Sequence, residues 1–265
     1  MEKQPYFAED SVSSEEQARL QALEAANDPA TTRHLAGLGV TTGWHCLEVG
    51  AGAGSIVRWL SERVGPSGRV VAADIDTRFV ERLDLPNVEP RRIDILRDAI
   101  EQSSFDLVHC RLLIIHLKSP LEALMRMVSA AKPWGWVMIE EADFSSYRAA
   151  DPSHQLSAAF SAAVKRTFDN IARAGLFDPY YGCQVRRLME NAGLTEVKIE
   201  GSVYVRGGVE SEAQEHLLSL PLLVKAGHCS AEDRAIMEAG LTDPDFRFVG
   251  HTIFSAWGRR ADRMS

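Results

Sequence analysis

The chain has 265 residues, of which 45% are hydrophobic and 25% charged, which is enough to bury a substantial core as one domain with insertions. The formal net charge of -8 and the lack of a basic stripe argue against a nucleic-acid partner, since phosphate binding needs clustered lysine and arginine. There is neither an apolar run near the roughly 18 residues of a membrane span nor an N-terminal leader pattern. We therefore expect a soluble, cytoplasmic protein.

Cysteine and histidine spacing indicates neither disulfides nor a metal. The cysteines form no C-x-x-C pair, and they are predicted to be small core residues in a reducing compartment. The eight histidines show no H-x-x-x-H or H-E-x-x-H spacing, so no metal site is predicted. The cysteines are Cys46, Cys110, Cys183 and Cys229.

The N-terminal segment predicts two helices. Residues 1–12 are polar apart from Tyr6 and Phe7, and Ser13 to Glu16 then form a capping-box pattern before the first helix. Asp28 and Pro29 are typical of a cap and a first helical position, and predict a second helix that ends near Gly37 and Gly39.

A glycine-rich turn follows the first strand. The predicted strand Trp44–Val49 leads to Gly50, Gly52 and Gly54, and the predicted helix spans Ser55–Val64. Glycine at alternate positions permits φ > 0 and close approach of a ligand to the backbone. The free N–H groups of the helix that follows favour an anionic or electron-rich group. Turns use glycine in any case, so the pattern alone also fits a plain strand-to-helix connection.

Strands and helices alternate from here to residue 142, which predicts a parallel sheet with helices on both faces, the doubly wound α/β class. Pro90 deletes a ladder hydrogen bond, so the third strand is expected at the sheet edge. Ser119 to Glu122 combine a capping box with proline at the first helical position. The predicted strands are Arg69–Asp74, Val88–Ile93, Phe105–Cys110 and Trp134–Glu140, and the helix is Pro120–Lys132.

Beyond Ala142 the pattern becomes mainly helical, which predicts an insertion that covers the site. Scattered aromatic side chains there fit an aromatic-lined pocket or ordinary core packing equally well. The predicted helices are 153–174, Val185–Ala192 and one each opening at Ser211 and Ser230, and the predicted strands are Leu194–Glu200 and Phe246–Trp257.

Asp74 is the first candidate ligand-binding acid. It ends the second strand, at the sheet edge where open α/β folds bind ligands, and lies 24 positions after Gly50. A carboxylate there is suited to accept hydrogen bonds from both hydroxyls of a ribose, whereas Asp76 would point differently. The competing interpretation is a solvated acid at a strand end.

The turn reads Glu48-x-Gly50-x-Gly52-x-Gly54, which resembles the signature of class I S-adenosylmethionine-dependent methyltransferases. The dinucleotide fingerprint instead places its third glycine at the position of Ser55. The resemblance extends from Trp44 to Ala142. One departure is Trp134, because the family usually has Lys/Arg-Pro-Gly-Gly there.

The resemblance implies a Rossmann-like seven-stranded sheet of order 3-2-1-4-5-7-6 with the last strand antiparallel. It also implies an N-terminal helical cap over residues 1–40 and a methyltransferase domain over 41–265, with a substrate-covering helical insertion around 145–192. S-adenosyl-L-methionine is then the cofactor. The residues implied to bind it are Glu48, Gly50, Ala51, Gly52, Gly54, Asp74, Ile75, Asp94, Ile95, Cys110 and Arg111.

Several of these assignments have alternatives. Asp94 resembles the family's acid for the adenine amino group, with Ile95 packing on the ring, but it is equally a turn-forming aspartate. Arg111 is suited either to steer an anionic substrate or to bind a backbone carbonyl. Glu141 and Asp143 are candidates to orient a substrate, or else ordinary exposed acids.

His116 is the candidate catalytic base. It follows the fourth strand on the predicted cofactor side, and an unperturbed histidine pKa of about 6.5 suits proton removal at neutral pH. A hydrogen bond to a backbone carbonyl is the alternative role. His109, on the strand itself, is expected to be structural.

The favoured function is methyl transfer to oxygen, nitrogen or carbon of a small organic acceptor. The nucleic-acid branch with Asn/Asp-Pro-Pro-Tyr/Phe after the fourth strand is disfavoured by His109-Cys110-Arg111, and the magnesium-dependent catechol branch by the missing acid there. Two alternatives stay open: a cyclase of the same fold that binds the cofactor, and a nicotinamide-dependent oxidoreductase, which Ser55 and Glu48 disfavour. No membrane or nucleic-acid partner is expected, and a homodimer is allowed.

Overall fold

The computed structural model describes the backbone of residues 13–208 and 210–262. The predicted capping box at Ser13 and the aromatic pair Tyr6 and Phe7 depend on residues outside this range. The helices are α1 Ser13–Gly37, α2 Ser55–Val64, α3 Pro120–Ala130, α4 Ser157–Ala174, α5 Val185–Asn191, α6 Ser211–Lys225 and α7 Ala231–Thr242. The strands are β1 His45–Val49, β2 Arg69–Asp74, β3 Val88–Arg92, β4 Phe105–Arg111, β5 Ala131–Asp143, β6 Arg148–Ala149, β7 Leu194–Ser202, β8 Val205–Gly207, β9 Arg247–Val249 and β10 Thr252–Arg260.

Seven strands form the large sheet, in the order β3-β2-β1-β4-β5-β10-β7. Since β7 and β10 are its sixth and seventh strands along the chain, this is the predicted order 3-2-1-4-5-7-6, with antiparallel strands at the end of the sheet. The first five strands pair in parallel, with Leu47 opposite both Val71 and Val108. The predicted doubly wound α/β fold is confirmed.

The third strand lies at the sheet edge, as Pro90 predicts. Pro90 stands opposite Ala72 of β2, and no described strand follows β3 on its other side. Because no described strand pairs with β3 on that side, the N–H that proline lacks has no inter-strand acceptor to lose there.

The N-terminal region is one helix, so the prediction of two was wrong. Helix α1 runs through Pro29, and side-chain bonds flank the proline: Asn27 Nδ2 donates to the Leu23 carbonyl, and Thr32 Oγ1 to the Asp28 carbonyl. Proline removes one backbone hydrogen bond, and the good helix formers on both sides carry the helix past it.

The predicted last strand, Phe246–Trp257, is two strands. Gly250 and His251 separate β9 from β10, and Gly250 N–H donates to the Tyr204 carbonyl. Strand β9 pairs on both sides in a three-stranded antiparallel sheet of order β6-β9-β8, which the sequence analysis did not predict. These strands are only two or three residues long, too short to show a clear alternation.

Two compact units make up the chain. The first comprises residues 1–27, 142–182 and 202–253, and the second 28–141, 183–201 and 254–265. The core of the first unit is aromatic, because Phe160, Phe168, Phe246 and Phe248 pack with Tyr147. This places most of the aromatic residues of the predicted insertion in a core.

The second unit has an aliphatic core of strand and helix residues. Leu60, Val64, Val70 and Leu107 are fully buried in it. Cys46, Cys110 and Cys229 are buried as predicted, but Cys183 is exposed, and no disulfide joins any two of these cysteines within the described part of the chain. Among the described residues, no helix is both long enough and apolar enough to span a bilayer.

Candidate active site

The glycine turn between β1 and α2 takes a backbone that favours glycine at each alternate position. Gly50, Gly52 and Gly54 have φ of 75°, 56° and 94°. A Cβ on Gly54 would lie 2.7 Å from Cδ1 of Leu83, so a side chain there would force Leu83 to shift, in addition to the strain of the positive φ. The turn thus exposes backbone rather than side chains.

Helix α2 begins directly after this turn, with Gly54 as its N-cap. Gly54 offers no side-chain oxygen, and the first turn contains no acidic residue. The first N–H groups of α2 therefore have no capping side chain at Gly54, and the acid nearest in contact is Asp28 of α1, whose Oδ1 accepts the Ser55 hydroxyl at 3.0 Å.

Asp74 is tied directly to the glycine turn. Its Oδ2 accepts the Gly52 N–H at 3.0 Å, and its Oδ1 accepts the Asp76 N–H at 3.0 Å. Burial raises the pKa of the Asp74 carboxyl, and these N–H bonds lower it in part. Asp74 is thus partly buried rather than a solvated strand end, and its carboxylate, with four lone-pair sites, keeps acceptor capacity for a further donor.

Two apolar side chains follow the acids at the ends of the second and third strands. Ile75, after Asp74, is 50% exposed, whereas Ile95, after Asp94, is buried. The Asp94 Oδ1 accepts the Leu96 N–H at 2.9 Å, which is the turn-forming role. The adenine-binding roles of Asp94 and Ile95 stay predictions.

Glu48 lies in a buried carboxylate–imidazole–carboxylate row. His109 Nδ1 is 2.7 Å from Glu48 Oε2, and its Nε2 is 3.3 Å from Glu140 Oε2. Burial lowers the pKa of His109, but the charges and hydrogen bonds of both carboxylates outweigh it and raise that pKa to about 9. Burial opposes ionisation of Glu140, yet the hydrogen bond and charge of His109 hold its pKa at about 2. His109 is therefore a buried cation at neutral pH, and its role is structural as expected.

Hydroxyl groups and an arginine extend this row. Thr31 Oγ1 and Ser255 Oγ both donate to Glu140. Arg111 donates to Thr31 Oγ1 at 2.8 Å and to Asp28 Oδ1 at 2.9 Å. The guanidinium of Arg111 thus fixes α1 residues, rather than serving the predicted alternative of a backbone carbonyl. This network was not predicted, because its members range from Asp28 to Ser255 along the chain and no local pattern joins them.

Glu141 and Asp143 are buried, so the interpretation as exposed acids was wrong. Glu141 Oε1 accepts the N–H groups of Leu113 at 3.2 Å and Ile114 at 2.6 Å, and its buried Oε2 has no hydrogen-bond partner among the described residues. Burial raises the pKa of Glu141 to about 8, against the lowering effect of the N–H donors. Asp143 accepts the Ser145 N–H at 3.0 Å and caps the next turn.

His116 ends the short 3₁₀ helix Ile114–His116, and its own N–H donates to the Leu113 carbonyl at 3.0 Å. Glu141 anchors the start of this helix, so one buried carboxyl fixes the backbone that carries His116. The predicted cofactor residue Cys110 is fully buried in β4, just before this segment. The catalytic role of His116 stays a prediction.

A family model described as a methyltransferase domain matches residues 16–199, well over half of the chain. The chain belongs to this methyltransferase family. The match confirms the predicted class of S-adenosylmethionine-dependent enzymes and with it the cofactor. The chain's own residues fit that cofactor, because side-chain-free glycines, a helix start with no capping side chain and a carboxylate with spare lone pairs meet at one turn.

Relatives of known name support the same family. The methyltransferase str2 of Strobilurus tenacellus is 29% identical over 202 residues, which cover 74% of this chain and 70% of that protein. The ubiquinone/menaquinone biosynthesis C-methyltransferase of Pseudomonas syringae pv. syringae is 32% identical over 111 residues, or 39% of this methyltransferase and 43% of that protein.

A solved structure shares the fold. The methyltransferase is similar to phosphoethanolamine N-methyltransferase 2 of Haemonchus contortus, solved with phosphomonomethylethanolamine and S-adenosylhomocysteine, at a TM-score of 0.63 and 16% identity. The match covers 98% of the present chain and 61% of that one. This likeness supports the fold alone.

Proposed function

We propose that this methyltransferase transfers the methyl group of S-adenosylmethionine to a small organic acceptor. The observation that carries the proposal is the link between Asp74 and the Gly52 N–H, because it joins the predicted ribose-binding carboxylate to the side-chain-free turn. We assign cofactor binding to the predicted residues around this link, with Ile75 offering its exposed apolar side chain beside Asp74.

Positioning supplies most of the rate in this proposal. A sulfonium is an activated methyl donor, and holding the acceptor in line with it is worth effective molarities on the order of 10⁵ M or more in favourable cases. We assign to His116 the removal of a proton from the acceptor, and to Glu141 the positioning of the backbone that carries His116.

The names of the relatives support a small acceptor without choosing the methylated atom. One is a C-methyltransferase of quinone biosynthesis, and the structural neighbour is an N-methyltransferase of a phosphorylated amine. The methyltransferase is therefore proposed to act on oxygen, nitrogen or carbon of a small molecule, which a labelling experiment identifies.

The test uses S-adenosylmethionine with a trideuterated methyl group and a pooled extract of small metabolites. We expect release of S-adenosylhomocysteine in step with a product heavier by the labelled methyl, as measured by mass spectrometry. Gly52→Val should abolish both signals, and Gly37→Ala, at a helix end with open space around it, should leave them unchanged. A converted product that contains no label, without S-adenosylhomocysteine, would overturn methyl transfer in favour of a cyclase.

A further inference from the structure

A buried cluster of Glu212, His216 and His251 lies in the first compact unit, away from the glycine turn in sequence. Glu212 and His216 are four residues apart on α6, so they project from the same face of the helix. His251 follows Gly250 in the break between β9 and β10. The three residues are only 5%, 7% and 8% exposed.

One nitrogen or oxygen atom from each residue lies within 4.8 Å of those from the other two. His251 Nδ1 is 3.4 Å from Glu212 Oε1. Glu212 Oε1, His216 Nε2 and His251 Nδ1 are all buried, and none has a hydrogen-bond partner among the described residues. A buried polar atom without a hydrogen-bond partner destabilises the folded state, so three at one point call for a ligand that satisfies them together.

We propose that these three side chains bind a divalent transition metal, with Zn²⁺ as the ion that fits best. Two imidazole nitrogens and one carboxylate oxygen form a three-ligand set of the kind that holds zinc and leaves a fourth position open. Imidazole in the set selects against Mg²⁺ and Ca²⁺, which take oxygen ligands.

The distances are compatible with such a site. Ligands about 2.0–2.1 Å from a tetrahedral zinc lie roughly 3.4 Å from one another. Glu212 and His251 already have this separation, and the widest pair, within 4.8 Å, needs to approach by at most roughly 1.4 Å, which side-chain rotation supplies.

Groups around the cluster fix the orientation of its members. Glu215 Oε2 lies 3.3 Å from His216 Nδ1, on the far side of the ring from the unpartnered Nε2. Arg206 Nε donates to Glu212 Oε2 at 3.2 Å and leaves Oε1 as the free oxygen. In metal sites, a ligating histidine is commonly hydrogen-bonded through its other ring nitrogen to a carboxylate, and a ligating carboxylate accepts a hydrogen bond on its other oxygen. Glu215 and Arg206 occupy these positions here.

The aromatic neighbours and a glycine shape the space. Tyr147 stacks on His216 with ring centroids 4.5 Å apart, and Phe144 lies 4.9 Å from His251. A Cβ on Gly250 would collide with Glu212 Oε1, so any larger residue there would displace this carboxylate from its position beside His251. Helix α6, the β9–β10 break and the aromatic core thus bring the three side chains to one point in the first unit.

The spacings H-x-x-x-H and H-E-x-x-H do not describe this set, because its two helical residues are a glutamate and a histidine. Glu212-x-x-x-His216 has the helical spacing of two ligands, and that signal was present. His251 is 35 positions further on, and only the fold brings it to the other two.

Titration of the metal-free protein with Co²⁺ tests the proposal. Co²⁺ is a spectroscopic stand-in for Zn²⁺, and we expect one equivalent to bind with visible absorption bands of a four-coordinate site. One equivalent of Zn²⁺ should then displace it and raise the melting temperature. The measurement uses the wild-type chain, so it does not depend on any variant folding.

His216→Gln and His251→Gln should each abolish the visible bands and the thermal shift with Zn²⁺. His154→Gln is the matched control, because His154 is a partly buried histidine of the same unit that lies against Asp243 instead. Circular dichroism verifies that the variants fold. Absence of stoichiometric Co²⁺ and Zn²⁺ binding to the wild-type chain would overturn the proposal, as would undiminished binding in both folded variants or a site that takes only Mg²⁺.

Discussion

Three carboxyl groups, those of Glu48, Glu140 and Glu141, are buried on β1 and β5 and differ only in their neighbours. Glu48 and Glu140 share the imidazolium of His109, and Glu140 also accepts hydroxyl groups. Glu141 has backbone N–H donors but no cation in direct contact, so burial dominates and its pKa is about 8. At neutral pH we therefore expect Glu141 to carry a proton on its unpartnered Oε2.

Glu141→Gln should be nearly neutral for stability at pH 5 and stabilising at pH 8. The folded pKa of Glu141 is raised, so its contribution to the free energy of unfolding is fully present below the unfolded pKa near 4.5 and is lost as pH rises to about 8. The loss is roughly 1.4 kcal/mol per pH unit in this window. Glutamine keeps the oxygen acceptor for Ile114 and does not ionise.

The measurement is chemical denaturation of both proteins between pH 5 and pH 9, with Glu122→Gln as an exposed control on α3. The difference between Glu141→Gln and the wild type should grow with pH and level off above pH 8. A constant difference across this range would contradict the raised pKa.

His116→Ala should lower kcat by roughly 10²- to 10⁴-fold, the usual contribution of a positioned base, with cofactor affinity unchanged. The pH profile should also lose one limb. The experiment uses the acceptor found by labelling, and His45→Ala at the start of β1 is the control. A variant that loses stability, cofactor affinity and turnover together would instead show a structural histidine.

Local geometry was predictable where a pattern is short. The glycine turn and the acid at the end of β2 lie together as their spacing suggested, and their roles toward the cofactor stay predictions. The exposed-acid interpretation of Glu141 failed, because its burial depends on packing of β5 against the loop after β4. Nothing within a short stretch of sequence contains that information.

At the level of elements, the irregular start of β5 is the notable departure. The register between β4 and β5 shifts between Phe105 and Leu107. Trp134, at the start of β5, has a left-handed backbone with φ of 63°, and its side chain is 54% exposed. The family usually has glycine at this position. A left-handed conformation costs a non-glycine residue about 1–2 kcal/mol, so the tryptophan carries strain that glycine would not.

Trp134→Gly should have a free energy of unfolding about 1 kcal/mol above that of Trp134→Ala, because both variants lose the half-buried indole but only glycine also removes the strain. Trp134→Ala keeps a Cβ in the left-handed region and should give no such gain. Thermal and denaturant unfolding of the two variants provide the measurement. Equal stability of the glycine and alanine variants would show that the backbone here is unstrained.

The strands β1, β2 and β4 were predicted to within one residue at each end, because each is a mostly buried run bounded by turn residues, whereas β5 extends three residues beyond its predicted bounds at each end. Helix α2 has the predicted bounds, and α3 begins at the predicted proline, although Ser119 makes no side-chain cap bond. The errors lie where tertiary contacts override local signals, at Pro29 inside α1 and at the β9–β10 break.

The whole chain folds as two units whose segments interleave in sequence, each unit using three separate stretches. Local sequence patterns define domains as contiguous segments, and we therefore predicted a cap over 1–40, a methyltransferase domain over 41–265 and an insertion near 145–192. Those boundaries stay predictions. Only long-range contacts show which distant segments share a core, as with Tyr147 and Phe248.

The central claim is that the methyltransferase binds S-adenosylmethionine through its glycine turn and Asp74. Calorimetric titration of the wild type, Asp74→Ala and Asp76→Ala tests it directly. Asp76 is the matched control, because its carboxylate pairs with the neighbouring Arg78. Loss of a charged hydrogen-bonding group is worth about 1.5–3 kcal/mol, or roughly 10- to 150-fold in affinity.

We predict that Asp74→Ala weakens binding of S-adenosylmethionine by this factor, that Asp76→Ala binds it as the wild type does, and that NAD⁺ gives no heat of binding with any of the three proteins. Unchanged affinity in folded Asp74→Ala, or binding of NAD⁺ in place of S-adenosylmethionine by the wild type, would contradict the account.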